Sequence, residues 1–200
     1  MKIIGLTGQS GAGKGTVAKI LAENDIPHVD CDKIYHSMLK AEGECTKALI
    51  ERFGKEILSE DGSVNRKKLA EKVFLCEDKE KNLADLNEIT HSTVLKKCRE
   101  LISEYKDQGK IAAAVDAPTL FESGFDKECD IILSVIAPIE IRLIRIMKRD
   151  GLSREQALAR FSAQKSEEFF IENSDYVIKN EHDEKELKNA VLKFIGEKLS

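Results

Sequence analysis

The sequence predicts an α/β fold in which a parallel sheet of about five strands lies between helices. Short apolar segments that fit buried strands alternate with segments whose apolar residues recur at helical spacing. A glycine-rich segment joins the first of these strands to the first helix. A charged, strongly helical stretch then interrupts the alternation before strand signals return. Together these observations indicate a sheet covered on both faces, with a helical insertion.

The first part of the core begins with a buried strand at residues 3–6. After the glycines, the segment KGTVAKILAEN carries apolar residues every three or four positions, which predicts the first helix. IPHVD, residues 26–30, predicts a second short strand. The segment CDKIYHSMLK then predicts a helix that begins at Asp32.

The helical insertion is the least strand-like part of the chain. NRKKLAEKVF and LKKCRELISEYK both show apolar residues at i, i+3 and i+4, and no strand signal interrupts the stretch. The predicted core therefore comprises residues 1–43 and 110–200, and residues 44–109 form a helical subdomain.

Strand signals return at KIAAAVDAP, residues 110–118, and at IILSVIAP, residues 131–138. A helix follows through IEIRLIRIMKRD, and Ser153 with Gln156 has the capping-box pattern that opens another helix. DYVIKN predicts the last strand, and Asp183 is placed to cap the final helix.

Composition narrows the classes of function. A net charge of −4 over 200 residues argues against a general nucleic-acid or anionic-membrane binder. Five scattered cysteines without a C-x-x-C pair argue against a disulfide framework or zinc site and fit a reducing cytosol. No apolar stretch has the length of a signal region or a membrane span. We therefore expect a cytoplasmic protein, monomeric or a small homo-oligomer, with no nucleic-acid or membrane partner.

The segment GLTGQSGAGKGT, residues 5–16, predicts a loop that holds nucleotide phosphates. Glycines let several backbone N–H groups turn toward one anion at the positive end of a helix. Lys14 completes a G-x-x-x-x-G-K pattern and adds a charge for the β- and γ-phosphates. The predicted nucleotide-binding residues are Gly11, Ala12, Gly13, Lys14, Gly15 and Thr16. The arrangement GKGT, with its hydroxyl one residue late, resembles adenylate kinases. The strand–loop–helix context disfavours the alternative, a glycine-rich turn without a ligand.

Acids stand at the ends of two predicted strands. The carboxyl ends of parallel strands meet at the edge of the sheet that carries the loop, so Asp30, Asp32 and Asp116 should lie near it. Asp32 is our candidate for the base that orients an acceptor hydroxyl. The alternative, that Asp32 only caps the helix that follows, fits the sequence equally well. Asp116 and Thr16 are the candidates for holding Mg²⁺, with a solvated strand-end acid as the alternative for Asp116.

A basic cluster lies in RLIRIMKRDGLSREQALAR. Arg145, Arg149, Arg154 and Arg160 are spaced to close over a triphosphate and to stabilise the charge of a transition state. We assign catalytic roles to Lys14, Arg145 and Arg149. A solvated helix face with ion pairs is the alternative explanation of the same pattern.

The ordered set of motifs resembles the dephospho-coenzyme A kinase family over nearly the whole chain. The resemblance is carried by IGLTGQSGAGKGTVA, VDCDKIYH, FGKEILSEDGSVNRKKLAEKVF, EITHSTVL, VDAPTLFESG, ARFSAQ and SDYVIKN. Several independent motifs in the family's order are more specific than the loop alone. The resemblance implies a P-loop kinase core, an acceptor subdomain formed by residues 44–109 and a lid at about residues 145–166.

The resemblance also implies the reaction and further site residues. ATP, with Mg²⁺, would donate its γ-phosphoryl group to the ribose 3′-hydroxyl of dephospho-coenzyme A, and Asp32 would accept the hydroxyl proton. The residues carried over to the acceptor are Asp32, Arg66, His91, Asp116, Leu120, Phe121 and Glu122. Asn180 is carried over to the nucleotide, and Arg160, Gln164 and Asp175 belong to the closing motifs.

Several positions depart from the family pattern. Ser92 and Thr119 replace a proline and a leucine, and KSEEFFIENSDY lacks the basic residues often found there, which predicts a lid with a weaker grip on phosphates. A nucleoside monophosphate kinase is the nearest rival, because GKGT suits it. A GTP-binding switch is a second rival, although the chain lacks N-K-x-D. The intact Lys14, Asp32 and Asp116 argue against a non-catalytic member of the family.

Overall fold

Strand β1 (Lys2–Gly8) forms the centre of the sheet, because its last five residues are buried and can accept a neighbour on each side. The computed structural model describes residues 1–199. β1 pairs in parallel with β3 (Ala112–Asp116) and with β4 (Ile131–Ile136). β5 (Tyr176–Lys179) pairs in parallel with β4, and β2 (His28–Asp30) lies beyond β3. The order is β2-β3-β1-β4-β5, so the predicted parallel sheet of about five strands between helices is confirmed.

Helices connect and cover these strands. In chain order, the described residues form α1 (Lys14–Glu23), α2 (Cys31–Met38), α3 (Glu44–Phe53), α4 (Arg66–Phe74), α5 (Lys79–Asp107), α6 (Ile139–Asp150), α7 (Arg154–Ser162), α8 (Glu167–Glu172) and α9 (Glu184–Lys198). Short 3₁₀ turns occupy Lys55–Ile57 and Phe125–Glu128. The predicted capping box of Ser153 and Gln156 opens α7. None of the helices in residues 1–199 combines the length and apolar character needed to cross a bilayer.

The chain divides into two compact units. The first comprises Met1–Val29 and the described residues from Ile102 onward. In this unit, apolar side chains of α1 and α9 pack with those of β1 and β4 in one core. Its largest members include Ile4, Leu6, Val17, Leu21, Leu133, Val135, Val191 and Phe194. A smaller cluster joins α6 to α7 through Leu143, Ile146, Ala157 and Phe161.

The second unit comprises Asp30–Leu101 and is helical. Apolar residues of α3, α4 and the loop between them form its core, which includes Leu49, Phe53, Ile57, Leu69 and Val73. An isolated antiparallel bridge joins Leu58 to Val64. The helical subdomain predicted at residues 44–109 therefore lies largely within this unit, which begins earlier, at Asp30.

Candidate functional site

The loop between β1 and α1 ends at Gly13, the residue before α1, which has a left-handed conformation with φ of 108°. A Cβ atom at Gly13 would lie 2.4 Å from Nδ2 of Asn180, so the chain packs too closely there for any other residue. No side chain caps α1, although the backbone N–H of Thr16 donates to the carbonyl oxygen of Gly13 at 3.0 Å. A glycine turn that leads into an uncapped helix start has the geometry of an anion site.

Lys14 is the first residue of α1, and its side chain is half-buried. Its Nζ donates to the carbonyl oxygen of Gly8 at 3.1 Å, which folds the side chain back across the loop. The ammonium charge therefore lies beside the backbone that turns around the anion position. At Gly15, by contrast, a Cβ atom would meet nothing within 4 Å, so the protein itself does not require a glycine there.

Arg145 and Asn180 contact the backbone of the same loop. Nη1 of Arg145 lies 3.3 Å from the carbonyl oxygens of both Gly11 and Ala12. Asn180, which is 4% exposed, donates from Nδ2 to the oxygen of Ala12 at 2.7 Å, and its Oδ1 lies 3.5 Å from Nη2 of Arg145. Both residues were predicted at the nucleotide site, and the structure places both on the backbone of the loop.

Arg142 and Gln164 form a second pair of side chains at the loop, and Arg142 was not predicted from the sequence. Arg142 is buried, and its Nε donates to the carbonyl oxygen of Ser10 at 3.0 Å. Its Nη2 lies 3.3 Å from Oε1 of Gln164, the glutamine of the closing motif. Arg142 precedes the core residue Ile146 by four positions on α6, and this spacing was the available signal that it faces inward.

The remaining arginines of the basic cluster are exposed and form ion pairs. Arg149, predicted as catalytic, contacts Asp150 at 2.6 Å, and Arg160 contacts the same carboxylate at 2.8 Å. The hydrogen bond from Arg149 holds the pKa of Asp150 below its usual range. Arg154 pairs with Glu140 at 2.8 Å. The structure therefore brings Arg145 to the loop and places these three at the helix surface, as the ion-pair alternative predicted.

Asp116 ends β3 in register with Leu6 of β1, two residues before Gly8. The phosphate loop begins from the same end of β1, so the sheet brings this carboxylate to the edge that carries the loop. Thr16 lies half-buried in the first turn of α1. A carboxylate and a hydroxyl are hard oxygen donors, and Mg²⁺ at nucleotide sites takes one or two such ligands with phosphates and waters. The donor set of Thr16 and Asp116 therefore fits Mg²⁺.

The segment after Asp116 carries three predicted acceptor contacts in different surroundings. Leu120 is fully buried, and its side chain would lie 2.8 Å from a Cβ atom at Gly5. This burial corrects the prediction for Leu120, because a side chain packed under β1 supports the segment and presents no surface to a ligand. Phe121 is half-buried, with its ring centroid 5.0 Å from that of Phe169 in an edge-to-face arrangement. Glu122 is exposed.

The second unit carries the candidate base. α2 begins at Cys31, and its cap is Asp30, whose Oδ1 accepts from the backbone N–H of Lys33 at 2.9 Å. The prediction that the helix begins at Asp32, and the alternative that Asp32 only caps it, are therefore wrong. Asp32 is the second residue of α2, and its side chain is exposed. Asp30 therefore supplies the cap of α2, and Asp32 does not cap the helix.

Arg66 and His91 are the other predicted acceptor contacts in this unit. Arg66 is the first residue of α4, directly after its cap Asn65, and it is exposed. Burial raises the pKa of the Tyr35 hydroxyl, and the nearby charge of Arg66 partly offsets this rise. Tyr35 follows Asp32 by three positions on α2, so both lie on one side of the helix. His91 is half-buried within α5.

Comparisons with known proteins identify the family to which the chain is similar. A family model described as dephospho-CoA kinase matches residues 2–186. A dephospho-CoA kinase of Fusobacterium nucleatum is 42% identical over 192 residues, covering 96% of this chain and 96% of the relative. The crystal structure of TT1252 from Thermus thermophilus is 32% identical, with a TM-score of 0.83, covering 100% and 98% of the two chains. A dephospho-CoA kinase from Campylobacter jejuni is 28% identical, with a TM-score of 0.71, covering 98% and 96%.

Proposed function

Because the chain belongs to the dephospho-CoA kinase family, we propose a role for each candidate residue in the reaction of that family. The chain is a kinase that uses ATP to phosphorylate dephospho-CoA, the last step of coenzyme A biosynthesis. The observation that carries the residue assignments is the phosphate loop. It has a helix start without a side-chain cap, with Lys14 bonded to the oxygen of Gly8 and with Arg145 and Asn180 bonded to the oxygens of Gly11 and Ala12.

On the nucleotide side, residues 11–16 bind the phosphates of ATP, and Lys14 neutralises charge on the β- and γ-phosphates. Arg145 stabilises the loop through the carbonyl oxygens of Gly11 and Ala12, and its guanidinium adds positive charge to the transition state. Arg149 reaches the phosphates only after exchanging its contact with Asp150 for one with the nucleotide. The predicted lid, at about residues 145–166, would carry out this exchange as it closes.

On the acceptor side, Asp32 orients the ribose 3′-hydroxyl of dephospho-CoA and accepts its proton. The hydroxyl oxygen forms a bond to the γ-phosphorus as the bond from that phosphorus to the β–γ bridging oxygen breaks, and ADP leaves. Arg66 and His91 of the helical unit, and Phe121 and Glu122 of the other unit, bind other parts of the acceptor. Exclusion of water matters here, because water would compete as the acceptor.

We also propose that Thr16 and Asp116 hold Mg²⁺ together with phosphate oxygens, since both offer hard oxygen donors. When bound, this ion supplies charge neutralisation on the triphosphate. We further propose a cytoplasmic location, because the five cysteines are scattered along the sequence without a C-x-x-C pair, a pattern that fits a reducing compartment. The protein is proposed to be a monomer or small homo-oligomer, which size-exclusion chromatography with light scattering would measure.

The direct test is coenzyme A formation from purified protein, ATP and Mg²⁺ with dephospho-CoA as acceptor. AMP, CMP and GMP are supplied as acceptors in parallel, because a nucleoside monophosphate kinase would prefer one of them. We expect turnover with dephospho-CoA to exceed turnover with each monophosphate by orders of magnitude. A clear preference for a monophosphate would overturn the acceptor assignment.

A further inference from the structure

Arg142 contacts the phosphate loop at its first turn. Its Nε donates to the carbonyl oxygen of Ser10 at 3.0 Å, and its Nη2 lies 3.3 Å from Oε1 of Gln164. The same Oε1 accepts the backbone N–H of Ser10 at 3.1 Å, and Nε2 of Gln164 lies 2.5 Å from the hydroxyl of Ser10. The backbone and side chain of Ser10 are therefore held by two other side chains at once.

The guanidinium of Arg142 is buried, and within the described residues no carboxylate lies at ion-pair distance from it, although the charge of Glu167 acts on it from farther away. Arg142 is 6% exposed, and within residues 1–199 its polar partners are the oxygens of Ser10 and Gln164. Its guanidinium carbon lies 4.2 Å from the ring centroid of Phe161. Burial lowers the pKa of Arg142, and the charge of Glu167 offsets this only in part. Burying a cation without an ionic partner is costly, so an anion bound nearby would stabilise this arrangement.

The backbone of α6 also approaches the loop at this residue. A Cβ atom at Gly11 would lie 2.9 Å from the carbonyl oxygen of Arg142 and 3.1 Å from its Cα. The turn of α6 that carries Arg142 therefore lies directly against the residue that follows Ser10. The backbone of α6 at Arg142 and the phosphate loop at Gly11 therefore pack too closely to admit a side chain between them.

We propose that Arg142 and Gln164 are positioning residues that fix the Ser10–Gly11 turn of the phosphate loop in its ATP-binding conformation and connect that turn to the lid. Phe161 and Gln164 belong to the end of α7 and the residues after it, which lie in the predicted lid, and Arg142 contacts both. The lid residues thereby hold the loop through one buried guanidinium. This inference rests on the proposed function, because it assigns the loop to ATP.

Three variants and one control test the proposal. Arg142→Lys keeps the charge but lacks the planar fork that reaches two oxygens and stacks on Phe161. Gln164→Leu removes the shared partner, and the double variant combines them. Lys148→Gln is the matched control, because it removes an exposed cation from the same helix. The measurements are the Kd of ATP by calorimetry without acceptor, KM for each substrate, kcat and the melting temperature.

We expect each single variant to raise the Kd and KM of ATP by about tenfold, as the loss of a charge-assisted hydrogen bond implies. KM for dephospho-CoA should stay within about twofold. The double variant should resemble the worse single variant, because both side chains hold the same turn. Unchanged ATP affinity in both single variants would overturn the proposal, as would equal losses for both substrates with a falling melting temperature. Absence of coenzyme A formation by the unaltered protein would instead overturn the proposed function.

Discussion

Replacement of Asp32 by Asn should abolish most turnover and leave the fold intact, because Asp30, the last residue of β2, supplies the helix cap and Asp32 does not. Asp30 caps α2 through the N–H of Lys33, and its carboxylate also lies 3.1 Å from Nζ of Lys33. Asp32 is exposed and makes no cap. The Asn side chain has the same shape but cannot accept a proton, so loss of a general base should lower kcat by about 10²–10⁴-fold.

The structural cost of the same substitution should be small. A negative charge in the first turn of an exposed helix contributes about 0.3–1 kcal/mol. For a chain of this size that corresponds to a fall of about 1–4 °C in melting temperature. Asp30→Ala is the matched variant, because it removes the cap and should cost about 0.5–2 kcal/mol of unfolding free energy. It should lower the melting temperature further than Asp32→Asn and retain far more turnover.

The assay couples ADP release to a reporter reaction, with dephospho-CoA saturating, and a thermal melt is recorded on the same samples. Near-native kcat in Asp32→Asn would refute the assignment of the base. Equal loss of kcat in folded Asp30→Ala would refute the separation of capping from catalysis, because it would show that helix position alone accounts for both effects.

Three further substitutions or measurements test other contacts. Gly13→Ala should lower both ATP affinity and melting temperature, because the new methyl group meets a buried amide and the backbone is left-handed. Cys129 should resist iodoacetamide at pH 8, since burial and then the charges of neighbouring acids raise its pKa to about 12; the exposed Cys76 should be labelled first, as peptide mass spectrometry would record. Asp150→Asn should flatten the loss of stability on acidification. The folded pKa of Asp150 is lowered, chiefly by its hydrogen bond from Arg149, so its contribution is present above its ordinary pKa of about 4 and is lost as pH falls below it.

Each of these predictions has a specific control. Gly15→Ala serves for Gly13, because its methyl group meets no protein atom within 4 Å and should leave the melting temperature unchanged. Equal destabilisation by the two alanines would contradict the packing argument. Faster alkylation of Cys129 than of Cys76 would contradict its raised pKa. Identical melting curves of the parent and Asp150→Asn between about pH 5 and pH 3 would show that the carboxylate contributes nothing to stability.

The parts of the fold that depend on local patterns were predictable. The period of apolar residues predicted strands and helices, and glycines between β1 and α1 predicted the loop, because both signals depend on neighbouring positions. The cap of α2 was not predictable, because two acids two positions apart satisfy the same pattern. The choice depends on which residue adopts extended backbone angles, and that residue is Asp30, with φ of −94° and ψ of 102°.

Contacts between residues that lie far apart in the chain could not be predicted from the sequence either. Arg142 reads as one more cation in a basic segment, and its burial depends on Ser10, 132 positions away, and on Gln164. Leu120 was grouped with its neighbours in a family motif, although the packing beside Gly5 removes it from any surface. Arg145, predicted from the basic segment, and Asn180, carried over from a family motif, both contact the loop backbone, and their roles toward the nucleotide stay predictions.

The position of each strand within the sheet determines the order in which the nucleotide-binding part and the acceptor-binding part of the protein unfold. β1 has a partner on both sides, whereas β2 is a three-residue edge strand that leads into the helix bearing Asp32. Amide hydrogens along β1 should therefore exchange only in global opening, while those around β2 exchange through local fraying. Mild denaturant should accordingly abolish binding of the acceptor first, leaving a protein that still binds its nucleotide.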